Sequence, residues 1–380
     1  MPTLKSRIRN LKSEIAVFAL TVLLASSAQG AETKTAWQVE WEKTLAVAKK
    51  EEQVTVYHTT GPFDALFREF QKQYPEIKVT GITGRGNQLA PRIMAERRAG
   101  KYLADLYLGA VGTPFRVFYR AKILEPIGPF LILPEVVDKS RWFHGEHHYA
   151  DPERKYIFVF EASVRSDVAY NTSLVDPREI KSYRDFLNSK WKGKMVAMDP
   201  KQGGVASGSS LSFFYYHPEL GPEFLSRLFG EMDIAFSRDT RQLVDWLAVG
   251  KFAIALFATR AEDAIGKGIP VDRFLPTAFK EGLYIRPQQG SISLLNRAPH
   301  PNAAKVLINW LLSRGGQIHF QAIFSEQDAT TSLREDVPKD HVPPAYRLVT
   351  GQKFLAAYRP EYLDINPALR IIEEAMGKKK

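Results

Sequence analysis

Two kinds of residue in this sequence could hold a charged ligand: arginines set among glycines, and short glycine, threonine and serine runs that follow apolar segments. Thr83-Gly84-Arg85-Gly86-Asn87 is the clearest case. A guanidinium flanked by glycines has little to pack against and can meet a carboxylate or phosphate as a two-pronged donor. Thr59, Thr60 and Gly61 form a second run, and Gly109 through Thr113, with Gly112 among them, a third. Farther along stand Gly203-Gly-Val-Ala-Ser207-Gly208-Ser209-Ser210, then Thr240 and Arg260. Small residues let backbone N–H groups crowd around an oxyanion, and a helix starting there adds the positive end of its dipole. The same residues also make ordinary turns and caps that need no ligand.

Other chemistries find less support. The chain has no cysteine, which excludes disulfides, thiolate metal sites and a cysteine nucleophile. It has no G-x-S-x-G, and the run ending at Ser210 lacks the lysine of a phosphate-binding loop, which argues against nucleotide hydrolysis. His144, His147 and His148, with Glu146 beside them, raise an exported metal-dependent hydrolase. Their segment is a loop punctuated by proline and glycine, without the i, i+4 spacing of a helical metal site. Tyr215 and Tyr216 fall in a predicted helix, where neighbouring side chains diverge by about 100°, and are expected in core and surface. No catalytic group, metal or cofactor is therefore expected.

The elements that must position these residues alternate. Strand Val54–Tyr57, a helix with Phe63, Leu66, Phe67, Phe70 and Tyr74 on one face, and strand Ile77–Thr80 come first. A helix capped by Asn87 and stopped at Gly100 follows, then strand Leu103–Leu108. Strands at Tyr156–Phe160 and Ser166–Asn171 suggest a crossover. A second alternating unit has strand Met195–Met198, a helix led in by Ser207–Ser210, helices from Pro222 to Gly230 and up to Gly250, and buried strand Phe252–Phe257. Ser182, with Asp185 three residues on, caps another helix. Strand Ser291–Leu295 and a helix from Pro301 to Leu312, closed by Gly315-Gly316, complete the reading. The pattern is α/β with parallel strands and short links, and ligands in such sheets gather at the carboxyl ends of strands.

The first thirty residues read as a cleavable export signal. Lys5, Arg7, Arg9 and Lys12 precede an apolar run, Ile15 to Leu24, and the small-residue stretch Ala25 to Gly30. Ten apolar residues fall short of the roughly 20 that cross a bilayer, and lipid acylation would need a cysteine. A soluble periplasmic product is expected. Its formal charge is +7 once the +3 of the signal is taken from +10, with bases scattered among acids, so no nucleic-acid partner is indicated. About 350 residues exceed what one hydrophobic core supports, which implies two lobes.

Several segments together carry a resemblance. Val54-Thr-Val-Tyr57, Ala104-Asp105-Leu106-Tyr107, Val168-Ala-Tyr-Asn171, Trp191-Lys-Gly-Lys194 with Asp199-Pro200, and Pro301-Asn-Ala-Ala304 running into Leu311-Leu-Ser-Arg-Gly-Gly-Gln317 occur in that order. The set resembles the type 2 periplasmic solute-binding proteins of ABC importers, in their iron(III)-binding branch. The resemblance implies a monomeric two-lobed clamp, each lobe a mixed or mostly parallel sheet flanked by helices. It would capture a small molecule between the lobes, close by a hinge motion and deliver it unchanged to a membrane permease. Residues 31–165 and 283–325 would form lobe 1, and 166–282 and 326–380 lobe 2 with C-terminal helices. Ser207 to Ser210 resemble the family's anion-holding loop.

One departure matters. Iron-binding members carry two adjacent tyrosines directly after the buried strand, where this chain has Thr259-Arg260-Ala261, and Gly109-Ala110-Val111 lacks the family's first-lobe carboxylate. A guanidinium repels a cation. The expected solute is therefore a small organic carboxylate or phosphorylated compound, held by Arg85 and Arg260 with Thr59, Thr60, Gly86, Asn87, Gly112, Ser207, Gly208, Ser209, Ser210 and Thr240. Iron(III) or chelated iron is the second reading, and an organic cation the third.

Overall fold

The computed structural model describes residues 34–377 apart from 165, 201–204, 259–260, 276, 329, 341, 343–346, 349–350 and 352. The chain divides into two compact units, 1–40 and 41–380. The export-signal residues and Lys378 to Lys380 lie outside the described residues, as do Thr259 and Arg260. Of the first unit, the described part opens helix α1 (Ala36–Glu51).

In the second unit, β1 (Gln53–His58) runs parallel to β2 (Lys78–Thr83) and to β3 (Leu106–Gly109). Helix α2 (Pro62–Gln73) links β1 to β2 and buries Phe63, Leu66, Phe67 and Phe70 on one face, with Pro62 at its first position, where no N–H is missed. Helix α3 (Gly86–Arg98) links β2 to β3. Strands β4 (Leu124–Glu125), β5 (His148–Tyr149) and β6 (Ile157–Val159) complete this side of the sheet, and β7 (Glu161–Ser163) leaves it.

A second sheet follows, of order β10-β9-β11-β8-β12, from β8 (Ala169–Asn171), β9 (Met195–Met198), β10 (Ala235–Ser237), β11 (Ile254–Leu256) and β12 (Val271–Arg273). Its helices are α4 (Val205–Tyr216), α5 (Gly221–Glu231) and α6 (Thr240–Ala248). The chain returns through β13 (Leu283–Ile285) and β14 (Ser291–Leu295), and β14 inserts antiparallel between β3 and β6 of the first sheet. Helices α7 (Pro301–Leu312) and α8 (Arg314–Asp328) then lead to β15 (Thr330–Ser332), which pairs with β7. Strand β16 (Phe354–Ala356) pairs with β13, and α9 (Asn366–Gly377) packs on α5. Both sheets are mixed: β1, β2 and β3 are parallel, as are β9, β10 and β11, while β8, β12 and β14 run antiparallel to their neighbours.

The two passages between sheets are held together. Ser163 donates its backbone N–H to the carbonyl of Arg286 at 2.7 Å. The fully buried Glu161 accepts the backbone N–H groups of Gln288, Gln289 and Gly290 at 2.9, 3.1 and 2.9 Å. A Cβ on Gly290 would stand 2.0 Å from that of Glu161, so the turn closes over the carboxylate only with glycine there.

Several local expectations shift for physical reasons. Helix α3 begins at Gly86, because Gln88 turns its side chain back to the N–H of Arg85, at 3.0 Å; Asn87 lies inside the first turn and is not the cap. Strand β3 starts at Leu106, since the buried carboxylate of Asp105 accepts the N–H groups of Thr55 and His300. Ser182 and Asp185 form the expected reciprocal cap, but on a 3-10 helix, Tyr183–Leu187. The run 207–210 belongs to α4 itself and not to a loop before it. Gly230 does not stop α5, which ends at Glu231. Gly315 and Gly316 do not close a helix; they open α8, and a Cβ on Gly316 would lie 1.9 Å from the carbonyl oxygen of Trp310.

Candidate functional site

Three of the expected residues come together. Gly86 and Asn87 at the start of α3, and Gly112 after β3, line one cavity of about 390 Å³ together with Thr113 and Arg116. Helix α3 is 13 residues long, so its first turn presents donor N–H groups and the positive end of a full dipole. Facing it is a π-helix, Pro114–Tyr119, a rare wide turn that recurs at functional sites. Its Arg116 guanidinium lies over Gly112, where a Cβ would stand 2.6 Å from a terminal nitrogen. Neither Arg116 nor the exposed Arg85 side chain has an ion-pair partner among the described residues.

Beneath Gly86 ends the phenol of Tyr107, whose oxygen would lie 3.3 Å from a Cβ there. Tyr107 is fully buried, its ring held edge-on by Phe118 at 5.2 Å and its hydroxyl beside the Thr113 side chain. Burial pushes its pKa up to about 12, so it stays a protonated donor. A cavity with an arginine and a helix start, and no acid in its lining, favours an anion.

The remaining expected residues serve other ends. The Thr59 hydroxyl donates to Gln289 at 2.6 Å, tying the end of β1 to the turn that Glu161 holds. Thr60 gives its carbonyl to the Nδ1 side of His58, at 2.9 Å. His58 is fully buried, and burial lowers its pKa, although Asp64 stands 3.2 Å away.

In α4, Gly208 faces Ile365, Ser212 donates to the Tyr362 carbonyl and Tyr216 to that of Asp364. This i, i+4, i+8 stripe is a packing face for the C-terminal segment. Ser210 is buried and donates to Asp167 at 3.1 Å, beside the Tyr284 hydroxyl, which bonds the same carboxylate. Ser209 is half-buried, and the Ser207 side chain is outside the description. Thr240 opens α6, but Asp239 already caps that helix by accepting from Arg241 and Gln242, so the anion place there is taken by the chain's own carboxylate.

Arg260 lies outside the described residues, and the described backbone before it is unusual. Phe257, buried at the end of β11, has φ +62°, a left-handed value that costs a bulky residue on the order of 1–2 kcal/mol. Such strain tends to gather at functional turns.

The histidine segment is explained by packing. His147 bonds the Val136 carbonyl at 2.9 Å; His148 bonds the Phe143 carbonyl at 2.8 Å and the Tyr358 hydroxyl at 2.7 Å. Burial holds His148 neutral, with a pKa down to about 4. Among the described residues no group of three or more His, Asp or Glu side chains could hold a metal.

The sequence matches the bacterial extracellular solute-binding protein family over residues 58–318. The chain belongs to that family. Its fold is shared with an IdiA/FutA protein of Trichodesmium solved with iron and citrate, 21% identical, TM-score 0.61, matched over 85% of this chain and 99% of that one. It is shared also with apo FutA2 of Synechocystis at 18% identity and TM-score 0.64, and with a Bordetella ferric-binding protein at 17% and 0.61, each over 85% of this chain and 98% of theirs. This solute-binding protein is thus an extracytoplasmic substrate-binding component of an ABC importer and not an enzyme. Among the described residues no helix is long and apolar enough to cross a membrane.

Arg116 escaped the sequence reading, which stopped at Thr113. The four-residue step from Gly112 to Arg116 would have marked one helical face had a turn been expected after Pro114.

Proposed function

We propose that this protein carries a small anionic solute through the periplasm to its permease, as a monomer released from a cleaved export signal. The observation that carries this reading is the meeting of Gly86, Asn87 and Gly112 in one cavity with Arg116, which has no ion-pair partner among the described residues. The lobes, 31–165 with 283–325 and 166–282 with 326–380, would close about the passages held by Glu161, and Arg260, beyond the strained Phe257, would complete the site from the second lobe.

The test is a thermal-shift screen of organic carboxylates, phosphorylated compounds and ferric salts against protein purified without refolding. Stabilisation by organic anions, lost in Arg116→Ala and weakened in Arg260→Ala, supports the reading. Stabilisation by ferric salt alone, unchanged in either variant, contradicts it.

Chelated iron is the second reading, favoured by the Trichodesmium neighbour, which holds iron together with citrate. There the organic acid would meet Arg116 and the metal would face the other lobe, so ferric citrate would stabilise the protein and citrate alone would not.

A further inference from the structure

The cavity beside α3 has two chemically different ends. Gly86, Asn87, Thr113 and Arg116 make one; Ala90, Pro91, Met94 and Val117 make the other. The apolar members of α3 follow the polar ones at steps of three and four residues, so the change runs along one face of the helix for about two turns, roughly 12 Å. Val117 lies on the facing π-helix, next to Arg116. Ala90 is buried, Met94 and Val117 are half-buried and Pro91 is exposed, so this wall is an apolar strip open to the cavity. At about 390 Å³ the space corresponds to about a dozen water volumes, well beyond one inorganic oxyanion.

We propose that the solute is an amphiphilic organic anion. Its acidic group meets the α3 N-terminus, Thr113 and Arg116, and an aromatic or short aliphatic body lies along Ala90, Pro91, Met94 and Val117. This deepens, and rests on, the reading of the cavity as the solute site. A ligand polar all round would leave that wall in contact with water. A carbon body displaces the water, and each methylene kept on the wall multiplies affinity by about fourfold.

Calorimetric titration of the full mature chain with benzoate, phenyl phosphate, inorganic phosphate and citrate tests this. The expected result is that benzoate or phenyl phosphate binds at least tenfold tighter than inorganic phosphate and citrate. Which of the two wins tells carboxylate from phosphate. In the near-isosteric double variant Met94→Gln, Val117→Thr, that advantage falls below threefold while affinity for inorganic phosphate holds. If the double variant does not fold, Met94→Gln alone reads the same loss in part. Aromatic probes no tighter than phosphate or citrate, or a preference that survives the substitutions, would overturn the proposal and leave the anionic reading standing. No binding of any of the four probes would overturn both.

Discussion

At the scale of single residues, Arg116 carries most of the functional argument and Lys339 the clearest pH argument. A guanidinium that donates to an anionic group is worth about 1.5–3 kcal/mol, so Arg116→Ala is expected to weaken anion binding about ten- to a hundredfold, measured by titration calorimetry. Arg116→Lys should recover part of that loss, since charge remains and the fork geometry does not. Lys339 is half-buried, its ammonium donating to the carbonyls of Ser332 and Arg334 at 2.8 and 3.0 Å, and desolvation pulls its pKa down to about 7. Its pKa is lower folded than unfolded. Above the ordinary lysine value neither state holds the proton; between that value and about 7 only the unfolded state does; below 7 both do. Stability should therefore rise from pH 7 towards pH 10 by up to about 1.4 kcal/mol per pH unit, and Lys339→Met should flatten the rise in urea melts at stepped pH.

At the scale of elements, two glycines and a carboxylate set the joins. Gly316→Ala drives a methyl into the Trp310 carbonyl at the α7–α8 corner. A loss of about 1–3 kcal/mol is expected from urea denaturation, as for other overpacked sites. Glu161→Ala leaves the N–H groups of residues 288–290 without their shared acceptor and should cost about 2–4 kcal/mol. Most elements were legible because their apolar spacing was regular: β14 and α7 match expectation residue for residue. Boundaries moved where side chains intervened, as Asp105 and Gln88 do. A π-helix leaves no distinct periodicity, so the wall that presents Arg116 could not be read from the chain. The roles of Gly208, facing Ile365, and of Asp239, filling the α6 N-terminus, depend on partners about 150 residues away or on a cap that any acidic residue could form.

At the scale of the whole molecule, two sheets are joined by passages pinned by Ser163–Arg286 pairing and the Glu161 carboxylate, while Thr59 links the end of β1 to the same turn through Gln289. The proposed solute site beside α3 therefore lies one strand from these passages. Small-angle scattering should show a smaller radius of gyration when phenyl phosphate is added to the mature protein, and no change for Arg116→Ala.

The central claim is that an organic anion sits against Gly86, Asn87 and Arg116, and a crystal structure of protein purified without refolding tests it most directly. The account predicts ligand density in that cavity, with an acidic group on Arg116 and carbon against Met94. A bound metal or solute elsewhere, with this cavity holding only water, would contradict it.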